Sequence, residues 1–77
     1  MTVGANVGVV RRSRGLTCAQ LAERVAACGR PIPANGIGRL EVGKRRIDVD
    51  DLFALALCLN VTTSALMVPT AAEVEQP

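Results

Sequence analysis

Residues 17–41 read Thr17-Cys-Ala-Gln-Leu-Ala-Glu-Arg-Val-Ala-Ala-Cys-Gly-Arg-Pro-Ile-Pro-Ala-Asn-Gly-Ile-Gly-Arg-Leu-Glu41. Thr17 followed three residues later by Gln20 is a capping box, in which each side chain satisfies an N–H that the first helical turn leaves open. Leu21, Val25 and Cys28 then recur at helical spacing and predict one inward face. Gly29 closes that helix. Pro31 cannot continue it, whereas Pro33 suits the first turn of the next, so Gly29–Pro33 is a rigid elbow. The following helix is expected over Ala34–Glu41, with Ile37 and Leu40 as its inward pair and Gly43 as its stop. Gly36 and Gly38 each cost roughly 1 kcal/mol against Ala there, so tertiary packing has to hold this helix.

Three further helices flank this pair. Val3, Val7 and Val10 line one face of a helix over Val3–Arg14, with Arg11 and Arg14 near its C-terminus and Gly15 ending it. A fourth is expected from about Asp50 to Cys58. Asp48 is its cap, and Leu52, Leu55, Ala56 and Leu59 face inward. A short fifth spans Thr63–Met67, capped by Thr62. The sum is an all-α domain of five short helices over residues 1–68, with 69–77 as a disordered acidic tail.

Composition agrees. Seventy-seven residues make one small domain, and the sole aromatic is Phe53, so the core is aliphatic and suits close-packed helices better than a sheet. Charge is segregated. Residues 1–46 hold all nine bases and two acids, a net +7; residues 47–77 hold five acids and no base, a net −5. One half is built to meet a polyanion, and eight of its nine bases are Arg, whose fork fits phosphates and guanine edges; a GC-rich genome would favour Arg over Lys equally well.

Cys18, Cys28 and Cys58 form no CxxC pair, and the chain has no His, so no metal site is expected and the thiols read as reduced, packed groups in a cytoplasmic protein. The longest apolar run, Leu52–Leu59, is too short to span a bilayer, and the apolar N-terminal stretch precedes its charges rather than following them, unlike a signal peptide. No nucleophile–base constellation and no glycine-rich phosphate loop is present, so no enzyme activity, cofactor or small-molecule substrate is expected. Asp48, Asp50 and Asp51 lack the glycine and distal Glu of a calcium loop and read as helix capping.

Two short helices joined by an elbow in the basic half describe a helix-turn-helix. The segments Val7-Gly-Val-Val-Arg-Arg-Ser-Arg-Gly-Leu-Thr17, Ala19-Gln-Leu-Ala-Glu-Arg-Val25, Ile37-Gly-Arg-Leu-Glu-Val-Gly-Lys44 and Asp51-Leu-Phe-Ala-Leu-Ala-Leu-Cys-Leu-Asn-Val61 together resemble the Cro/CI-type (XRE) helix-turn-helix family over about residues 3–68. The resemblance implies a lambda-repressor-like, five-helix bacterial or phage transcription regulator, a repressor that binds double-stranded DNA as a dimer. It places base reading at Ala34, Asn35, Gly38 and Arg39. It places phosphate contact at Cys18, at the start of the second helix, and at Lys44, Arg45 and Arg46 after the third. It makes Arg11 and Glu41 a structural ion pair. The elbow is several residues longer than the family's tightest form.

Each role has a plain alternative. Asn35 can pair with adenine or be an ordinary first-turn polar residue; Arg39 can fork onto guanine, hold a phosphate or meet a nearby acid. Ala34 touches a thymine methyl or is filler. Gly38 permits close approach to DNA or, the preferred reading, to the second helix. Phe53, Leu57, Leu66, Met67 and Val68 exceed what one inner face needs. They make either a dimer seam from the last two helices or simple core. The rival function is a protein-interaction module, such as an antitoxin or accessory subunit.

Overall fold

The computed structural model describes residues 2–67, and among them every regular element is a helix: α1 Thr2–Ser13, α2 Cys18–Ala27, α3 Ala34–Glu41, α4 Val49–Leu59 and α5 Thr63–Met67. The expectations for 69–77 and for Val68 lie outside the described residues. α4 runs one residue further at each end than its sequence pattern indicates. Asp48 is its N-cap, bonded to the Asp51 N–H at 2.8 Å, which makes Val49 the first helical residue. α1 ends one residue early, because Arg14 already belongs to the turn before Gly15. The Arg14 backbone N–H still bonds the Val10 carbonyl of α1, while its side chain reaches another helix end, with Nε donating to the Leu59 carbonyl at 2.7 Å at the C-terminus of α4.

α2 starts on the capping box, with Gln20 N–H donating to Thr17 Oγ1 and Thr17 N–H to Gln20 Oε1. Leu21 and Val25 face the core. Cys28 does not join them; it is the exposed C-cap residue, one position past the last turn. Gly29 follows at φ +88°, a conformation that a side chain would strain, and turns the chain into the elbow.

The core joins Val7 of α1, Leu21 and Val25 of α2, Ile37 and Leu40 of α3, Leu55 and Leu59 of α4, and Leu66 of α5. Ile32 completes it. The elbow is therefore no free linker: its one non-proline apolar side chain is inserted into the interior, which fixes where α3 begins. Each such aliphatic side chain contributes roughly 1.5–3 kcal/mol when fully buried. α1 packs across α3 and α5 as well. At Gly4 the approach is so close that a Cβ would sit 2.0 Å from the Leu40 carbonyl oxygen, leaving room only for hydrogen. Buried Asn6 reaches α5, donating from Nδ2 to the Leu66 carbonyl at 2.8 Å.

Candidate nucleic-acid interface

α3 presents two unlike faces. Ile37 and Leu40 point into the core, while Asn35 and Arg39, four residues apart, are both exposed on the other side. Ala34 and Gly38, also four apart, flank them and are half-buried. A Cβ at Gly38 would meet no atom within 4 Å, so no helix packs against it, and the packing reading of Gly38 is corrected. Gly36 is the α3 glycine that packing explains. A Cβ there would sit 3.0 Å from Arg45 Nη1 and 3.1 Å from Ile32 Cγ2.

That notch shapes the site. The turn after α3 folds back, with the Lys44 N–H bonded to the Arg39 carbonyl at 2.8 Å, and the Arg45 guanidinium rests over Gly36. Asn35, Arg39, Lys44 and Arg45 thereby rim one shallow depression floored by Pro33 and Gly36. Pro33 makes no side-chain cap for α3, so the amide end of this helix, with its partial positive charge, has no competing oxygen from the N-cap residue. Arg46 is exposed but does not line that depression. Cys18 lies apart, the half-buried first residue of α2, packed against the core.

Besides Arg14, two arginines of the basic half are already engaged, each by acids at close range. Arg11 grips Glu41 with both arms, Nε to Oε2 at 2.6 Å and Nη2 to Oε1 at 3.1 Å, and donates from Nη1 to the Leu16 carbonyl at 2.8 Å. The two side chains are only 13% and 10% exposed, and the hydrogen bond to Glu41 raises the Arg11 pKa above its ordinary value against the opposing pull of burial. The pair ties α1 to the last residue of α3.

Arg30 in the elbow meets the α4 capping acids, with Nε 2.8 Å from Asp51 Oδ1, Nη2 bonded to Asp48 Oδ2, and Asp50 further out at 3.9 Å. The bond to Asp51 raises its pKa. This ion cluster had no sequence signal, since its members stand 18 and 21 residues apart. Ile32 could have been noticed as the apolar residue held between two prolines. Among the described residues no cluster of His, Cys, Asp and Glu is disposed to hold a metal, and no helix is long and apolar enough to cross a membrane.

The exposed half of α3, its open N-terminus and the basic turn beyond it form an open, cationic surface with a shallow depression and hydrogen-bonding groups at its rim. Such a surface is suited to phosphates and base edges rather than to enclosing a small molecule. Comparison with known proteins agrees: the profile of the Helix-turn-helix family, the Cro/CI type, matches residues 10–66. No curated protein and no solved structure gives a significant match. The chain belongs to the Cro/CI-type helix-turn-helix family, a family of DNA-binding transcription regulators.

Proposed function

We propose that this protein is a sequence-specific repressor of bacterial or phage type that lays α3 into the major groove of double-stranded DNA. The observation that carries the reading is the gathering of Asn35, Arg39, Lys44 and Arg45 around one depression on the exposed side of α3. In this account Asn35 reads adenine N6 and N7 and Arg39 reads guanine O6 and N7, each bidentate contact discriminating by roughly 1–3 kcal/mol. Ala34 and Gly38 offer no reach of their own and let the backbone come close to the bases. Lys44, Arg45 and Arg46 hold phosphates, and the first-turn amides of α2, from Cys18 onward, hold another on the far side of the groove. The work is binding, without catalysis or cofactor, in the cytoplasm.

A homodimer through the last two helices would set two copies of α3 about one DNA turn apart on a near-palindrome. Val49, Phe53 and Leu57, spaced by four along α4, are 65%, 60% and 71% exposed, and form an apolar stripe that a second copy would cover. Leu66, by contrast, belongs to the core. The same stripe favours the second reading, an antitoxin or accessory subunit whose α4 binds another protein.

Selection of bound duplexes from a random pool, followed by a salt titration on the enriched sequence, tests the proposal. Neutralising about three phosphates per protomer, about six for a dimer, gives a log–log slope of about −5, with enrichment of a two-fold-related site. A flat slope and no enriched sequence would leave the protein-binding reading in its place.

A further inference from the structure

The only sulfur pair in contact among the described residues is Cys28 Sγ and Cys58 Sγ, 3.0 Å apart. They lie 30 residues apart in sequence, one at the C-cap of α2 and the other in the last turn of α4. Both are free thiols. A disulfide bond needs a separation of about 2.05 Å, so the two sulfurs have about 1 Å to close, within the reach of side-chain rotation. Cys18 is ten residues before Cys28, at the opposite end of α2, about 15 Å along the helix axis, and is no competitor for either partner.

We propose that Cys28 and Cys58 are a dithiol modification site, oxidised by a hydroperoxide to an intramolecular disulfide that latches α2 onto α4. Cys28 is exposed and Cys58 half-buried, so the oxidant meets Cys28 first. The Cys28 thiolate attacks the outer peroxide oxygen; the O–O bond breaks, and Cys28 becomes a sulfenic acid as water (or an alcohol) leaves. The Cys58 sulfur then attacks the sulfenic sulfur, the S–S bond forms, and the hydroxyl departs with the Cys58 proton as a second water. Two electrons pass from the two sulfurs to the peroxide. Burial, then the hydrogen bond with Cys28, push the Cys58 thiol up to about 12, so it keeps its proton until this second step and acts as the resolving partner.

The ring that closes encloses the elbow, all of α3, the basic turn and most of α4. It removes freedom from the unfolded chain while leaving the exposed face of α3 untouched. In a cytoplasmic protein such a bond is transient, present under oxidant and reversed by thiols. The two thiols lie on α2 and α4, away from the exposed side of α3, and their oxidation does not depend on DNA binding.

The full chain, reduced and then exposed to dilute hydrogen peroxide, quenched with catalase and blocked with N-ethylmaleimide, gives the test by mass spectrometry and thermal melting. The expected product has one blocked thiol, Cys18, and a link between the peptides carrying Cys28 and Cys58. Its Tm is raised by about 10 °C and returns to the starting value with dithiothreitol. Cys28→Ser and Cys58→Ser each abolish the link and the Tm rise, and Cys18→Ser keeps both. A link that includes Cys18, disulfides between chains only, sulfinic acid at Cys28 with Cys58 still open to alkylation, or an unchanged or lower Tm would overturn it.

Discussion

Arg30 Nε donates to Asp51 Oδ1 at 2.8 Å, joining the elbow that aims α3 to the first turn of α4. Asp51 is only 3% exposed and also closes the capping box with Asp48. One carboxylate thus organises both the start of α4 and the approach to α3. Asp51→Ala should cost about 2 kcal/mol, the worth of a charge-assisted hydrogen bond together with part of a cap. Arg30→Ala should lower Tm in the same direction, and both should weaken DNA binding because the elbow loosens. Thermal melts of the two variants check this; wild-type melting for Asp51→Ala would contradict it.

The Arg11–Glu41 fork makes a contrast between neighbouring arginines. Removing Arg11 strands a nearly buried carboxylate and an open Leu16 carbonyl, at a cost of about 3 kcal/mol. Arg12 stands 3.9 Å from Glu41 and is 61% exposed, so Arg12→Ala should change stability by less than about 0.5 kcal/mol. Urea unfolding of both variants separates them, and equal midpoints would refute the structural role given to Arg11.

Gly38→Ala separates stability from function. The added methyl meets no neighbour within 4 Å, so the variant should gain about 1 kcal/mol from helix propensity. On a face pressed to DNA the same methyl intrudes, and affinity should drop several-fold in the more stable protein. A gain in both, measured by calorimetry and fluorescence anisotropy, would place Gly38 away from the DNA.

Phe53→Glu and Leu57→Glu probe the stripe on α4. Both positions are exposed, so the folded monomer should keep its Tm to within a few degrees. Sedimentation velocity should show a dimer for the wild type and a monomer for the variants, with weaker binding to a two-fold site and unchanged binding to a half-site. A wild-type chain that stays monomeric on its preferred duplex would remove the dimer from the account.

Much of the fold was legible because it is written locally. The capping box at Thr17 and Gln20, the prolines of the elbow and the apolar spacing of Leu52, Leu55 and Leu59 act within a few residues of themselves. α3, with two glycines and no strong local preference, was readable through its context, and its bounds at Ala34 and Glu41 follow from Pro33 on one side and the turn to Gly43 on the other. What was not legible depends on contacts between distant segments. Gly4 looks like a poor helix residue until Leu40 lies against it. Arg30 counts as a free positive charge until Asp51 is brought 2.8 Å away, and Gly36 and Gly38 look alike until Arg45 covers only the first. The groups proposed to meet DNA could be named from their types, but their gathering around one depression depends on the folding back of the turn at Lys44.

The central claim is that the outer side of α3 and the basic turn after it meet the duplex. Amide chemical shifts of the 15N-labelled chain, followed as the selected duplex is added, test it most directly. The account predicts that the largest changes fall on Asn35, Gly38, Arg39 and residues 44–46, with smaller ones at the start of α2. Changes centred on Val49, Phe53 and Leu57, with α3 left unmoved, would contradict it.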